Sequence, residues 1–522
     1  MSSESGGPKI VIIGAGPAGL STAYFLRKRG YQSVLVLEKL GRVGGLCLSM
    51  TCGDHSFDLG ANYVTPAYKE VLRLAEEYGA TMYSERPMIA MNVPEDARQP
   101  VTYQSMFDAV RIDVDTGKPI GVLRFLRLMM RYIWLRWRLA KVLDQPTFAG
   151  MEKYPELAQP MQRWLDSHGL RGLTRLLELP STMMGYGLMS ETPALYILKF
   201  MTLKTFVPMA LKETPIIGNF TGWPKRFVHG FQRFWERISW DLQVRTNVHV
   251  TRVERKQGEP IEVHFEVKAQ ELSSFKAQTG SLLCDFLILA CPQPVLLGTE
   301  AITGDGTGRY DPDRAFMELS VEERELFEQI REVWYCMTTF HVENLSFNGQ
   351  SPLAPIYPLA PILNPMGVGK QWDDCELVQF YSPISPYDVR RAIEETRKKV
   401  EAGDHELEGY LRQLESVERH MRDPKGAEDP VRAVVIDNVR TVTRRMGGRI
   451  RDENTAWHTY NRFTYFQHVS TESILAGFYS KLERLQGQQR TYFVGGATNF
   501  ELVEPIVEYA RHLVETHFPP VS

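Results

Sequence analysis

The sequence lacks the features that would tie it to nucleic acid, to a disulfide scaffold or to a membrane span. Its 60 Lys and Arg against 63 Asp and Glu leave a formal net charge of −3, so no global field attracts nucleic acid. Its six cysteines form no C-x-x-C pair, which predicts neither a disulfide framework nor a metal site. No run reaches the roughly 18 apolar residues of a transmembrane helix.

The N-terminus also lacks the basic start and long apolar core of a secretory signal. Hydrophobic residues form 43% and charged residues 24% of the chain, an ordinary balance for a folded globular protein. The 522 residues suffice for three to four domain-sized units. We therefore expect a cytoplasmic protein with no nucleic-acid partner, and composition leaves its reaction and oligomeric state open.

The first forty residues carry the strongest motif, a βαβ unit with a glycine-rich turn. The apolar strand ending at Ile13 leads into Gly14-Ala-Gly-Pro-Ala-Gly19, and the second strand ends at Glu38. Gly14 allows the tight turn, Gly16 lets the backbone approach a pyrophosphate, and Gly19 lets the helix pack on the strand. The helix N-terminus then faces the phosphates, and the Glu38 carboxylate faces the ribose hydroxyls. This pattern predicts a Rossmann-like dinucleotide-binding domain.

A second glycine pair follows Glu38, in Arg42-Val-Gly44-Gly45, and fits an extended dinucleotide that runs under another loop. With four further segments, the chain resembles the FAD-dependent amine oxidase superfamily over its whole length. Those segments are Asp58-Leu-Gly60-Ala61, the Val250 strand, the Asp285 to Pro292 strand and the Tyr492 to Gly495 turn. The resemblance implies FAD, bound non-covalently because no cysteine lies near the C-terminal turn.

The fingerprint and the resemblance together assign a set of cofactor-binding residues. These are Gly14, Gly16, Ala18, Gly19, Glu38, Lys39, Arg42, Gly44, Gly45, Gly60, Ala61, Asn62, Val250, Gly495 and Gly496. Two positions depart from the family pattern. Leu46 stands where the family has a second arginine, and Gly496 stands where it has the acid that holds the ribityl chain.

A narrower resemblance is to the bacterial polyenoic fatty acid isomerases, which form conjugated linoleic acid. It rests on the loop from Gly44 to Ser49, on Gly185-Tyr186-Gly187 with the segment up to Lys199, and on the segment from Tyr465 to Gly487. In that family FAD takes a hydride from the carbon between two cis double bonds and returns it two carbons away. The resemblance implies redox-neutral isomerisation of an unsaturated fatty acid or similar long acyl chain, with the flavin as the catalytic group.

Such a substrate needs an apolar, aromatic pocket and one cation at the mouth for its carboxylate. The candidate substrate-binding residues are Arg86, Met184, Tyr186, Phe206, Tyr465 and His468. Each also has a plain structural interpretation: a surface cation for Arg86, core packing for the others. Met184 departs from the isomerases, which have a phenylalanine there.

Two other functions stay open on the sequence alone. A flavin oxidase or dehydrogenase for an amine or secondary metabolite would use the same fold and pass electrons to oxygen. A non-catalytic flavin-fold scaffold or lipid carrier would explain the departures at Leu46 and Gly496.

The predicted fold class is α/β, with a discontinuous FAD-binding domain interleaved with a mixed-sheet substrate domain and a helical subdomain. The FAD-binding domain takes residues 1–85, 238–300 and 485–522. The substrate domain takes 86–106, 215–237, 301–385 and 423–484, with strands expected over 432–468. The helical subdomain takes 107–214, and residues 386–422 form a charged helical segment.

Residues 123–143 predict an apolar helix with Arg124, Arg127, Arg131 and Arg138 on one face. No acidic residue occurs between Asp115 and Asp144. This pattern suits a helix that rests peripherally on an anionic membrane and draws in a lipid substrate. It equally suits a helix packed on the protein with a solvated basic edge.

Overall fold

A computed structural model describes residues 7–94, 98–212, 222–267, 278–298, 308–345, 351–356, 363–423, 429–451 and 458–521. The predicted domain boundaries at 215 and 301 lie outside these residues.

A five-stranded parallel sheet forms the nucleotide-binding half, in the strand order β20-β13-β1-β2-β9. Its strands are β1 (Ile10–Ile13), β2 (Val34–Leu37), β9 (Gln243–Arg245), β13 (Phe286–Leu289) and β20 (Thr491–Phe493). They are short and mostly apolar because both faces are covered. The helices that share this core are α1 (Pro17–Lys28), α2 (Lys69–Glu77), α11 (Phe231–Ser239) and α18 (Val503–His517). The α/β fold class is confirmed, and strands far apart in sequence meet in one sheet.

Three smaller sheets flank this core. An antiparallel sheet contains β10 (Val248–Glu254), β11 (Ile261–Val267) and β12 (Gln278–Cys284). Two antiparallel pairs of strands are β3 (Ser49–Cys52) with β4 (His55–Asp58), and β5 (Met82–Ser84) with β8 (Lys225–Phe227). The neighbouring strands β9 and β10 therefore belong to different sheets, β9 to the parallel sheet and β10 to the antiparallel one.

An eight-stranded mixed sheet forms the second lobe. Its strands are β6 (Met88–Asn92), β7 (Thr102–Ser105), β14 (Arg331–Glu343), β15 (Ser351–Ile356), β16 (Gly367–Gly369), β17 (Leu377–Ile384), β18 (Arg449–Ile450) and β19 (Thr459–His468). The pairing of β15 with β6 is parallel, and the other pairings are antiparallel. The long β14 pairs with β17 on one side and with β19 on the other.

A helical region packs beside this sheet. Its helices are α3 (Met106–Ala109), α4 (Val122–Arg138), α5 (Ala140–Leu143), α6 (Pro155–Ala158), α7 (Met161–Ser167), α8 (Thr174–Met183), α9 (Ala194–Phe200) and α10 (Leu203–Lys212). Among the described residues no single helix is long and apolar enough to cross a membrane. By length and composition α9 and α10 reach that criterion only as a pair bent by 66°.

The remaining helices are α12 (Val321–Phe327), α13 (Pro386–Glu401), α14 (Glu408–Arg422), α15 (Pro430–Arg445), α16 (Thr471–Leu475) and α17 (Phe478–Leu485). The charged segment 386–422 contains α13 and α14, as expected. The expectation of strands from 432 is wrong, because α15 occupies the region up to Arg445. Asp429 caps α15 by accepting from two backbone N–H groups, and Pro430 starts the helix. Its valines fall at helical spacing and bury one face.

Candidate active site

The turn between β1 and α1 has the geometry of a pyrophosphate-binding loop. Gly14 lies in the left-handed region (φ +108°), and a Cβ there would be 2.9 Å from the Ala290 carbonyl oxygen. A Cβ at Gly19 would be 1.9 Å from the Gly14 carbonyl oxygen, so only glycine lets α1 pack this closely. Ala18 is buried in the first turn of α1. No side chain of the described residues caps this helix, so its N–H groups and positive dipole end face an anion.

Glu38 closes β2 and holds this turn. One carboxylate oxygen accepts a hydrogen bond from the Ala15 N–H (2.7 Å), and the other accepts from the Leu40 N–H (2.8 Å). A carboxylate has about four acceptor positions, so capacity for a ribose hydroxyl remains. The Val248 N–H donates to the Glu38 carbonyl (2.8 Å), which anchors the strand carrying the buried Val250 beside this residue.

The second glycine pair packs directly against the first turn. Gly44 donates its N–H to a carbonyl of that turn at 2.9 Å, and a Cβ at Gly45 would lie 3.0 Å from the Gly16 Cα. The Arg42 guanidinium donates to the Gly45 carbonyl (2.9 Å), and burial lowers the pKa of Arg42. Lys39 is exposed. The two loops, predicted as separate motifs, therefore form one backbone cradle.

A third loop meets this cradle at Leu46, the position where the family has its second arginine. The Leu46 carbonyl accepts the Ala61 N–H (3.2 Å) and lies 1.8 Å from where a Cβ at Gly60 would be. Gly60 is thus required by a close backbone approach. The Asn62 amide is buried and lies 3.5 Å from the Tyr381 hydroxyl, which connects the cradle to the mixed sheet.

The C-terminal turn after β20 brings an unpaired polar side chain into the same region. Gln293 is fully buried, and neither its amide nitrogen nor its amide oxygen has a partner among the described residues. The nitrogen lies 3.9 Å from where a Cβ at Gly495 would be. A buried unpaired amide costs free energy, so this side chain fits a polar cofactor such as FAD, whose hydroxyl and phosphate groups would pair with it.

A carboxylate also lies at this turn, although position 496 is glycine. The Glu501 Oε2 is 2.8 Å from where a Cβ at Gly496 would be, and it accepts the Gln467 N–H at 2.7 Å. Burial raises the pKa of Glu501 to about 7. Sequence reasoning missed both Gln293 and Glu501, and the one available signal was a polar residue four positions after the end of β13.

Three tyrosines meet beside this turn and form the aromatic wall, which we define as the buried Tyr186 and the partly buried Tyr335 and Tyr465. The Tyr465 hydroxyl donates to the Tyr186 hydroxyl (2.8 Å), which donates to the Glu501 carbonyl (3.2 Å). The Tyr335 ring lies 5.6 Å from the Tyr465 ring. Burial raises the pKa of all three, so their hydroxyls stay protonated near neutral pH. Three further rings surround Tyr186: Phe200, Phe466 and Phe500.

Local backbone geometry explains how the wall assembles. Gly185 has φ +84°, and a Cβ there would lie 2.6 Å from the Tyr335 ring and 3.1 Å from the Tyr465 ring. Phe466 adopts φ +48° beside a bulge in the pairing of β14 with β19, a conformation uncommon for a bulky residue. The structure thus brings together the motifs predicted separately at 185–187 and 465–470.

Three other predicted substrate residues, His468, Met184 and Phe206, lie outside the three tyrosines of this wall. His468 stacks on Phe466 (4.2 Å between ring centroids) and its Nδ1 lies 2.8 Å from the Phe466 carbonyl. Burial lowers the pKa of His468 to about 4, so it is neutral at pH 7. Met184 ends α8 and is partly buried. Phe206 is buried against Tyr132, with 4.5 Å between ring centroids.

Arg86 lies apart from the wall. Its guanidinium makes an ion pair with Asp373 (2.7 Å) and donates to the carbonyls of Lys370 (3.1 Å) and Gln371 (3.3 Å). The side chain is 26% exposed. All three partners lie in one surface segment, and the role of Arg86 as a carboxylate clamp stays a prediction.

A cleft of about 290 Å³ is lined by His468 and by Phe466, whose ring packs against Tyr186 of the aromatic wall. Four charged side chains line it: Glu191, Arg331, Glu332 and Glu472. The Gln467 amide donates to Glu332 (3.0 Å), and burial raises the pKa of Glu332 to about 7. The cleft therefore offers both a cation and several carboxyl groups beside the tyrosines. Within the described residues, no group of three or more His, Cys, Asp or Glu side chains is placed to hold a metal ion.

Comparisons with known proteins agree with this geometry. Residues 12–78 match the family model of the NAD(P)-binding Rossmann-like domain. The polyenoic fatty acid isomerase of Ptilota filicina is 24% identical over 201 residues, which cover 36% of this chain and 39% of that protein. The putrescine oxidase of Kocuria rosea is 39% identical over 74 residues, which cover 14% of this chain and 15% of that protein.

The crystal structure of the CLA-producing fatty acid isomerase from P. acnes matches with a TM-score of 0.69 and 20% identity. That match covers 99% of this chain and 100% of that chain, and it shows the fold. The sequence matches span well under half of each curated relative. The glycine cradle and the amine oxidase relatives together indicate FAD as the cofactor. The chain is thus similar to flavin amine oxidases over its nucleotide-binding segment, and it shares its fold with the fatty acid isomerase.

Proposed function

We propose that the protein is an FAD-dependent isomerase of an unsaturated fatty acid or similar long acyl chain. The observation that carries this proposal is the aromatic wall, which is uncharged and lies beside the C-terminal glycine turn. Uncharged rings suit an acyl chain, and their electron-rich faces stabilise a carbocation. Two relatives, one found by sequence and one by fold, carry fatty acid isomerase in their names.

The proposed reaction breaks one C–H bond and forms another without net oxidation. FAD, which the glycine cradle would hold, would supply both the hydride acceptor and the hydride donor. The carbon between two cis double bonds gives up the hydride with both bonding electrons, and the cation spreads over the two double bonds. The hydride returns two carbons away, which leaves the double bonds conjugated. No proton is exchanged, so the neutral His468 has a packing role and the wall excludes water.

We assign the fatty acid carboxylate to Arg331. This arginine lines the same cleft as Phe466 and His468, and it pairs with His468 in the β14–β19 register. A guanidinium binds a carboxylate through two parallel hydrogen bonds. Arg86, whose donors are directed at Asp373 and two backbone carbonyls, is the competing assignment.

The test is anaerobic incubation of the purified, flavin-loaded protein with linoleic acid. We expect the ultraviolet absorbance of a conjugated diene to rise while the flavin spectrum stays oxidised at the end of the reaction. The same rate in air, without oxygen uptake, would support a redox-neutral step. Peroxide formation coupled to substrate loss, with no diene, would contradict it.

The cleft favours a second candidate, a flavin amine oxidase or dehydrogenase. Three carboxyl groups, those of Glu191, Glu332 and Glu472, line the cleft beside a single described arginine. An acidic approach attracts a protonated amine. Incubation with putrescine and other amines in air, with peroxide as the readout, tests this candidate in the same preparation.

A further inference from the structure

Helix α4 presents an apolar stripe to solvent. Five of its large apolar side chains are widely exposed: Leu123 (75%), Leu126 (45%), Met130 (64%), Trp134 (51%) and Trp137 (64%). At about 100° per residue they share one side of the helix, within an arc of about 80°. Isolated exposed apolar residues are ordinary, but a continuous stripe with two tryptophans marks an interaction surface.

The opposite face of α4 fixes the helix to the protein. Phe125, Tyr132 and Arg136 are buried there. The Tyr132 hydroxyl donates to the Met201 carbonyl and the Arg136 Nε donates to the Leu198 carbonyl, both at 2.9 Å. The exposure of the stripe is therefore a property of a well-anchored helix.

Four exposed arginines flank the stripe along one edge: Arg124, Arg127, Arg131 and Arg138. On the helical projection they occupy an adjacent arc of about 60°. None makes an ion pair with a carboxylate of the described residues, and Arg138 lies over the Trp134 ring at 4.8 Å. The surface thus combines an apolar strip with a row of positive charge.

We propose that α4 is a docking surface for anionic phospholipid membranes, with the helix lying in the plane of the interface. The apolar stripe enters the acyl boundary and the arginine row contacts lipid phosphates, the arrangement of an amphipathic interfacial helix. Tryptophan suits this depth because its ring is apolar and its N–H is polar. A second copy of the chain is a poorer occupant, because an antiparallel two-fold contact through the stripe would place both arginine rows on the same side of the interface.

The position of α4 also places this surface close to the aromatic wall. Tyr132 on its inner face contacts Phe206 (4.5 Å), and on the neighbouring α9 Phe200 contacts Tyr186 (5.2 Å). A docked protein would therefore hold the aromatic wall one layer of helices from the lipid. Membrane binding through α4 does not depend on the proposed reaction, so it can be tested without substrate.

The experiment is co-sedimentation of the full chain with vesicles of phosphatidylglycerol and phosphatidylcholine, and with vesicles of phosphatidylcholine alone. We expect binding to the anionic vesicles that weakens at high salt. The double variant Trp134→Ser/Trp137→Ser should lower that partition about ten-fold or more, since two interfacial anchors are lost. Trp240→Ser is the matched control: Trp240 is 65% exposed and has Arg233 over its ring at 4.9 Å. Its partition should equal that of the wild type.

A second variant, Arg127→Gln/Arg131→Gln/Arg138→Gln, tests the charge. It should lose the preference for anionic vesicles while keeping the flavin absorbance and the circular dichroism of the wild type. Absence of wild-type sedimentation with either vesicle would overturn the proposal. So would unchanged binding of the tryptophan variant, or a wild-type oligomer that the tryptophan variant converts to a monomer.

Discussion

The hydrogen-bonded order of the aromatic wall predicts unequal effects for two similar substitutions. Tyr465 donates to Tyr186, and Tyr186 donates to the Glu501 carbonyl. Tyr465→Phe removes one donor and leaves the Tyr186 bond to Glu501 intact. Tyr186→Phe leaves the partly buried Tyr465 hydroxyl without its acceptor and the Glu501 carbonyl without this donor. Each substitution removes one hydroxyl oxygen. The difference between their free energies of unfolding therefore reports the cost of the polar groups that are left unpaired.

The expected magnitudes follow from that count. Losing one neutral hydrogen bond costs about 0.5–1.5 kcal/mol, and each buried group left unpaired costs about 1–3 kcal/mol. We therefore expect Tyr465→Phe to lower the free energy of unfolding by about 1 kcal/mol and Tyr186→Phe by about 2–4 kcal/mol. The double variant should cost less than the sum, because removing Tyr465 also removes the orphaned donor.

Urea unfolding of the three variants gives these free energies, and diene formation from linoleic acid gives the activity. Because the proposed reaction exchanges no proton, both single variants should retain diene formation within about ten-fold of the wild type. A larger cost for Tyr465→Phe than for Tyr186→Phe would refute the hydrogen-bond order. Complete loss of turnover in a folded, flavin-loaded Tyr465→Phe would refute the purely structural role of the hydroxyls.

Three further predictions concern the cradle, the cleft and the buried carboxylate. Gly19→Ala should abolish FAD absorbance in the purified protein, because its Cβ would lie 1.9 Å from a backbone oxygen, whereas Gly409→Ala, in a helix and with open space around it, should retain FAD. Arg331→Gln should raise KM for linoleate about ten-fold or more, the value of a charge-assisted hydrogen bond, and Arg86→Gln should leave it unchanged; the reverse would restore the Arg86 assignment. Burial raises the pKa of Glu501 from 4.5 to about 7, so the stability it contributes is complete below pH 4.5 and lost by about pH 7. Glu501→Gln should flatten stability over that interval in pH-dependent urea unfolding, and an unchanged profile would contradict the assignment.

The glycine cradle was predictable because its determinants are local. Gly14, Gly16 and Gly19 sit within one βα turn, and their spacing alone dictates a close approach of helix to strand. Glu38 ends the second strand of the same unit. Periodicity and turn chemistry within thirty residues carry this information.

The carboxylate at the C-terminal turn was not predictable in the same way. Glycine at 496 predicts a missing acid, but Glu501 returns to that place through a turn whose path depends on the pairing of β19 with β14. Gln293 likewise becomes an orphaned amide only because β13 and β20 are neighbours in space. Such contacts depend on the register between strands that lie more than a hundred residues apart in the sequence.

The error at α15 has a different origin. Val431, Val434, Val435, Val439 and Val442 are β-branched and favour strands on propensity, yet their spacing is helical and buries one face. Asp429 and Pro430 supply a helix start. The helical period of the valines and the capping residues would have predicted the helix if they had been given more weight than the β-propensity of valine.

The protonation of the cleft separates the two candidate substrates. Burial raises the pKa of Glu332 to about 7 and of the neighbouring Asp388 to about 6, and it also raises the pKa of Glu191. Between pH 6 and pH 8 the Glu332 carboxyl loses its proton, so the cleft, which also holds Arg331 and Glu472, becomes more negative. KM for linoleate should therefore rise from pH 6 to 8, while KM for an amine that stays protonated should fall. A Glu332→Gln variant should weaken both trends. If KM for linoleate falls across this interval while turnover continues, the carboxylate does not enter through this cleft.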